Sequence, residues 1–425
     1  MLQLKIRDIY HNKTLFNALI LLASNSLTFT FAIVSGYLVS SSLGPSEFGI
    51  YSLITFYILI LQNITDFGLN INGVKYVLRN PEKSKKIITN ILIIKYGIFL
   101  FSLPVLSVVI FFLHNIFHEW LNSSNSSGKN ILFLPLFILA SLNVLMLSTK
   151  STIDIIQQAK HRNIPRVISD VSGNFIKVII FIGIYIFTSR SIGLFIVGIN
   201  ATALYMLLSD FILCKDFEFS LKEVDKTLIR NLIKLTKYTA ALMIINYMLG
   251  EVNKVIVFVT NGDYATGLYS PAQKIFTSLA IVPNTIMIPV YTEFAKKNRN
   301  FKYKNKLIIL FLVISISITI FTLVFTKQIL LVTSGNQYIE STNTLKIVSL
   351  SFPFLFLNHL FGYSLIAKNK ERNYLYISLV SLLVNIVLGI VLSYRYAQNG
   401  AAISLIITEM FVTVSLIIND KELDG

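Results

Sequence analysis

The stretch LGPSEFGIYSL (43–53) returns later in the same chain as NGDYATGLYSP (261–271). Gly44, Gly49, Tyr51 and Ser52 recur as Gly262, Gly267, Tyr269 and Ser270, and every pair is 218 positions apart. The spacing is about half of the 425 residues. A pattern repeated at half the chain length marks an internal duplication, and its meaning depends on what surrounds each copy.

Both copies lie among long apolar runs. The chain is 54% hydrophobic and 14% charged, with a mean hydropathy of +0.69. A water-soluble domain cannot bury that much apolar surface, so the class is integral membrane. Twelve runs are long enough to cross about 30 Å of hydrocarbon as helices. They cover 15–39, 48–74, 87–113, 131–149, 167–188, 192–213, 235–259, 267–291, 307–326, 346–367, 374–393 and 400–419. Strand-period alternation is missing from them, and lipid requires every backbone group to pair within the segment. The predicted fold is therefore all-α.

Each copy of the repeat starts in the loop between the first and second run of a set of six and continues into the second run. Six is even, so both sets enter the membrane from the same side. That predicts two six-helix bundles related by a parallel pseudo-two-fold axis along the membrane normal. The repeated glycines would supply positive φ and close helix approach at these bends. The organisation expected is an N-terminal bundle (1–215), a connector (216–234) and a C-terminal bundle (235–425).

Most of the 37 Lys and Arg fall in the segments that lie inside if the amino terminus is cytosolic. Both termini are then cytosolic, and the location expected is the inner (cytoplasmic) membrane. The first apolar run is too long for the core of a cleaved signal peptide. The net charge of +16 follows from this bias and calls for no nucleic-acid partner. KKNRNFKYKNK (296–306) reads as an orientation signal, with anionic headgroups as the alternative ligand. The lone Cys214 excludes an internal disulfide.

In the connector, Leu221, Val224, Leu228, Leu232 and Leu235 follow steps of three and four. Lys222, Lys226, Arg230 and Lys234 form a basic ridge. Ser220 and Glu223 have capping-box spacing. This predicts an amphipathic helix lying on the cytosolic membrane surface.

The passage YLVSSSLGPSEFGIYSLITFYILILQNITDFGLN (37–70) resembles the start of bacterial polysaccharide flippases, of the kind that move O-antigen or capsule repeat units. There a first span leads into an LG-x-x-x-[FY]-G-x-Y-S loop and then a D-x-G-L ending, here Asp66-Phe67-Gly68-Leu69. EVNKVIVFVTNGDYATGLYSPAQKI (251–275) resembles the seventh and eighth spans of the same family. Asn253 stands where an acidic residue often precedes the basic one, and Glu251 lies two positions earlier. The family belongs to the multidrug/oligosaccharidyl-lipid/polysaccharide exporter superfamily. The resemblance implies a central cavity between two bundles. It also implies a cargo, an oligosaccharide on undecaprenyl diphosphate, flipped from the cytosolic to the outer leaflet by alternating access. Membrane lipid, an H+ or Na+ counter-ion, and the polysaccharide polymerase and chain-length machinery are the further partners it implies. It implies no cofactor.

Charges inside the spans are costly, about 2.5–3.5 kcal/mol each on insertion scales, and tend to face a bundle interior or a watery cavity. Lys95, Lys177, Lys254 and Lys274 are the cations expected to face the diphosphate. Each has a structural alternative. Asp170, Asn174 and Lys177 share one helical face and would make a polar seam. Glu251 and Lys254 would make an intrahelical pair. Glu251, beside Tyr247 and Lys254, and Asp66, with Asn63 and Asn70, are the ion-coupling candidates. His114 and His118 are spaced i,i+4 and could bind a metal on a helix, but only Glu119 is near as a third ligand and the HExxH order is missing, so no metal site is assigned. Tyr37, Tyr51, Tyr57, Tyr247, Tyr269 and Tyr291 could stack on sugars or simply pack.

Two other functions compete. A cation or drug antiporter of the same superfamily would want a more acidic cavity. A membrane polysaccharide polymerase would want a large outside loop and catalytic groups, and no nucleophile–base set, phosphate loop or metal set is visible. No catalytic residue is assigned.

Overall fold

A computed structural model describes residues 13–121, 133–160, 162–188, 190–214, 216–294, 304–368 and 370–421. Most of the 296–306 run lies outside the described residues, as do the side chains of His114, His118, Glu119 and Tyr291. Every regular element among the described residues is a helix. The main ones are α1 (Lys13–Asp66), α2 (Leu69–Arg79), α3 (Ser84–Leu121), α4 (Phe133–Ala159), α5 (Asn163–Phe187), α6 (Ile192–Leu213), α7 (Lys226–Leu279) and α8 (Ile281–Phe294). They continue with α9 (Lys304–Val324), α10 (Thr326–Thr333), α11 (Thr342–Ser349), α12 (Phe352–Ala367) and α13 (Glu371–Lys421).

Among the described residues, eight helical runs are long and apolar enough to cross a membrane, and α11 with α12 forms one more crossing bent by 44°. Three of the eight, of 57, 62 and 50 residues, are roughly twice the length a bilayer needs. Each is broken near its middle by a residue of positive φ: Gly44 (71°), Gly262 (83°) and Ala397 (48°). Counted as pairs, they bring the crossings to the twelve expected, so this is a multi-pass membrane protein. Large apolar side chains point outward, such as Phe101 (77% exposed) and Phe187 (84%), as lipid-facing surfaces require.

The chain forms two compact units, one of Met1–Ser42 with Tyr57–Ala240, the other of Leu43–Phe56 with Ala241–Gly425. In the first, isoleucines of α3 and α4 (Ile87, Ile88, Ile91, Ile153, Ile156) close a core with Leu69 of α2 and Leu232 of α7. α5 and α6 are zipped by Phe181 edge-on to Phe195, with ring centroids 5.1 Å apart. In the second, Val257, Tyr269, Phe276, Leu345, Phe352 and Leu405 form the core.

The repeat is structural. Gly44 (φ 71°, ψ 173°) and Gly262 (φ 83°, ψ −171°) adopt nearly the same conformation, one that an L side chain rarely takes. One turn further on, the two copies touch inside the second unit. A Cβ on Gly49 would lie 2.1 Å from the Asp263 carbonyl oxygen, and a Cβ on Gly267 would lie 1.8 Å from the Pro45 carbonyl oxygen.

The connector departs from expectation. Residues 216–225 carry only a 3-10 turn (Leu221–Glu223), and helix begins at Lys226 as the foot of α7. Ser220 makes no side-chain cap. Asp225 caps instead, its Oδ1 accepting from the backbone N–H of Thr227 (2.8 Å) and Leu228 (3.2 Å). Asn90 grips the turn from α3, donating to the Glu223 carbonyl (2.9 Å) and accepting from the Asp225 N–H (2.9 Å). Lys86 adds an ion pair to Asp225 at 2.7 Å. These polar grips outcompete the continuous apolar stripe. Leu228 and Leu232 pack inward, while Leu221 and Val224 stay exposed.

Candidate functional site

The D-x-G-L ending of the second span sets up the first buried charge. Phe67 (φ 48°) and Gly68 (φ 69°) break the helix just after Asp66. The break leaves Asp66 and Asn70 beside α3, where Lys95 meets both. Lys95 is fully buried. Its Nζ donates to Asn70 Oδ1 (2.7 Å) and Ser151 Oγ (2.9 Å) and lies 3.1 Å from Asp66 Oδ1. Neither Asp66 oxygen makes an aligned hydrogen bond, so that contact is chiefly electrostatic. The partner that Lys95 lacks within its own helix comes from 29 positions earlier in the chain. Asn63 does not join it: its amide donates to the Leu59 carbonyl within α1.

Lys177 is half-buried on α5 and donates to Asn174 Oδ1 (2.8 Å). Asn174 in turn donates to the Asp170 carbonyl (2.8 Å). The polar seam is thus present, but the partner of Lys177 is a neutral amide.

In the second unit, Lys254 pairs with Glu251 at 2.6 Å across one helical turn, the intrahelical alternative. The Tyr247 ring stacks on Phe56 with centroids 6.0 Å apart, and its hydroxyl is buried without a hydrogen bond. Lys274 is half-buried further along α7. The structure therefore brings together Lys95 with Asp66 and Lys254 with Glu251. Two of the four expected cations are neutralised where they stand. Tyr57 and Tyr269 are core residues, bonded to Ser141 (3.0 Å) and Gln273 (2.5 Å).

The largest buried charge cluster was missed in the sequence. Lys150 lies one residue past the fourth apolar run. It pairs with Asp154 (3.0 Å), Asp170 (2.8 Å) and Asp210 (3.3 Å). Arg166 approaches Asp154 (3.7 Å) and Asp170 (3.6 Å). The only local signal is the i,i+4 spacing of Lys150 and Asp154; the other partners come from α5 and α6. Glu409, deep in the last run, accepts from the Asn358 amide at 2.7 Å. Among the described residues, no group of three His, Cys, Asp or Glu is placed to hold a metal ion.

The profile described as Polysaccharide biosynthesis protein matches residues 14–293. The chain belongs to that family. A second profile, MatE, matches 295–391 of this polysaccharide biosynthesis protein. Its fold is that of the multidrug/oligosaccharidyl-lipid/polysaccharide exporter (MOP) superfamily, with two helical bundles. An inward-facing multidrug resistance MATE family transporter of that superfamily superposes with a TM-score of 0.70 at 11% identity, over 96% of this chain and 98% of that one. The lipid II flippase MurJ in an inward closed conformation gives 0.69 at 15% identity, over 96% and 87%. A MOP superfamily transporter from Pyrococcus furiosus gives 0.61 at 13% identity, over 96% and 94%. At these identities the likeness is one of fold. No curated protein matches.

Proposed function

We propose that this protein is a flippase for an oligosaccharide carried on a polyprenyl diphosphate, of the undecaprenyl class, moving it from the cytosolic to the outer leaflet by alternating access. The family match supports a role in polysaccharide biosynthesis. The observation that carries the choice of cargo is Lys177. It is half-buried at the middle of a membrane span and held by a neutral amide rather than a carboxylate. A cation kept in that state is ready to compensate an incoming anion, and a diphosphate cannot cross hydrocarbon without one. Lys95 and Lys254 would contribute only when their carboxylates part from them, and Lys274 would extend the same path. Asp66 and Glu251 would then couple the cycle to H+ or Na+, since a carboxylate that loses its lysine gains affinity for a cation. A drug antiporter fits less well, because the mid-span charge held only by a neutral amide, Lys177, is positive. The orientation, with both termini cytosolic in the inner membrane, completes the reading.

The test is reconstitution in liposomes with a labelled lipid-linked oligosaccharide in one leaflet. The expected result is protein-dependent appearance of label in the other leaflet. Movement no faster than in empty liposomes overturns the proposal.

A further inference from the structure

The Lys150 cluster has more negative than positive charge. Asp154, Asp170 and Asp210 meet Lys150 and Arg166, leaving one carboxylate in excess. Lys95, which Asp154 reaches electrostatically, and its partner Asp66 add one charge of each sign; Lys160, Arg162 and Asp216 at the solvent-exposed rim carry one cation in excess, which water screens there. The Lys150, Asp154 and Asp210 side chains are 6%, 9% and 0% exposed. A lone uncompensated carboxylate in such a place takes up a proton or a cation.

The geometry selects which one. Asp170 has the shortest contact to Lys150, shares Arg166, and is 30% exposed. Asp154 also has both cations. Asp210 is wholly buried, has the longest contact and no second cation, and neither of its oxygens makes a hydrogen bond.

A route to water adjoins it. Gln157 follows Lys150 and Asp154 on one face of α4, and Cys214 lies one turn beyond Asp210 in α6. Together with Lys160, Arg162 and Asp216 they line a cavity of about 130 Å³, with room for several waters. Lys160 and Arg162 hold Asp216 at its rim (3.1 and 3.3 Å), and Arg162 is 71% exposed. The Gln157 amide is buried and meets the Cys214 thiol across the cavity wall. A polar amide on the wall between a watery mouth and a charge-unbalanced interior is suited to hold ordered water along which a proton can pass.

We propose that Asp210 is a single-proton site of the folded protein, exchanging with solvent through the cavity at Gln157 and Cys214. Hydronium gives up a proton, one O–H bond forms on the carboxylate, and water is released. The site is distinct from Asp66 and Glu251 and does not rest on the identity of the cargo.

Infrared difference spectroscopy on the purified full chain tests it without any transport assay. The wild type at neutral pH should show protonated carboxylic C=O absorption that shifts in D2O, and Asp210→Asn, set against Glu409→Gln, should remove its own component. Gln157→Leu should leave the band but slow its exchange for deuterium about tenfold. In a variant that does not fold, the wild-type band and its exchange rate still decide. No such band in the wild type, or its undiminished survival in folded Asp210→Asn, overturns the proposal. So does a thermal midpoint raised by sodium over choline with the band missing, which would place a metal cation there instead. Exchange unaltered by Gln157→Leu overturns the route.

Discussion

Gly49 and Gly267 cross at reciprocal points of the two repeat copies: the space for a Cβ on each is taken by the backbone of the other copy. Asp263 and Pro45, whose carbonyl oxygens do the blocking, are themselves 218 positions apart, like the glycines. The duplicated pattern is therefore a self-complementary contact, and both members are needed for either to fit. Gly49→Ala and Gly267→Ala should each destabilise the protein by about 1–3 kcal/mol or more, because the clash is with backbone rather than a movable side chain. Thermal unfolding in detergent measures this. The double variant should cost less than the two single changes added, since the first already forces the copies apart. Full additivity would mean that the glycines do not share one contact.

The pair Asp66–Lys95 gives a second expectation. Asp66→Asn removes the carboxylate from a fully buried ammonium, and breaking such a pair costs about 3–5 kcal/mol. Asp66→Asn combined with Lys95→Met removes both charges and should recover most of that loss. Chemical or thermal unfolding of the single and double variants checks it. A single variant as stable as the wild type would show that Asn70 and Ser151 suffice.

Asp225 sets a pH dependence outside the membrane. The Lys86 ammonium beside it, then the Thr227 hydroxyl and the N–H groups of Leu228 and Thr227, hold its carboxyl well below the usual carboxylate range. The folded value is depressed, so the contribution is fully present above the unfolded value of about 3.9 and is lost as pH falls through the folded one. Hydrogen exchange at the first turn of α7 should be insensitive to this group above about pH 4 and rise in stronger acid. Asp225→Asn should lower protection factors at neutral pH and remove that acid step. An acid step that survives in Asp225→Asn would assign it elsewhere.

Breaks in the three long helical runs were legible in the sequence only where glycine marks them. Gly44 and Gly262 announce positive φ through their residue type and their repetition. Ala397 does not, because alanine carries no preference for that region, and only the split between apolar runs 374–393 and 400–419 hinted at a bend. The same limit applied to the charges. Glu251–Lys254 and Asp170–Asn174–Lys177 lie within single helices, so spacing exposed them. Lys95–Asp66 and Lys150–Asp210 join different helices, and a single sequence holds no term linking residues 29 or 60 positions apart. The surface-helix reading of the connector failed for a related reason. Periodicity registers apolar faces, but the fixed points there are polar grips from Asn90 and Lys86, which lie more than a hundred residues upstream.

Ala397 yields a stabilising substitution. Its φ of 48° with ψ of −133° is a sparsely populated conformation for an L residue, costing on the order of 1–3 kcal/mol. Ala397→Gly should therefore raise the thermal midpoint, stabilising the fold by up to about 1 kcal/mol once glycine's greater unfolded-state freedom is set against the relief. Gly400→Ala nearby should do the reverse, since its Cβ would lie 2.1 Å from the Leu392 carbonyl oxygen. A lowered midpoint in Ala397→Gly would mean that the bend is not strained.

Lys177 separates function from folding more cleanly than its companions. Lys95→Met leaves Asp66 buried without its lysine, and Lys254→Met leaves Glu251 so, and loss of transport in either could follow from damage to the fold. Lys177→Met leaves behind only the Asn174 carbonyl oxygen, which lies on a half-exposed face. Its stability should stay within about 1 kcal/mol of wild type. If the ammonium compensates a diphosphate in transit, the initial rate of flipping should fall at least tenfold, the equivalent of about 1.4 kcal/mol at the barrier. Lys177→Arg should retain part of the rate, because the charge persists while the compact point charge is replaced by a planar fork. Transport measured in liposomes at matched protein content decides between the roles. A Lys177→Met protein that flips at the wild-type rate would leave the residue as part of the α5 seam and remove it from the path of the cargo.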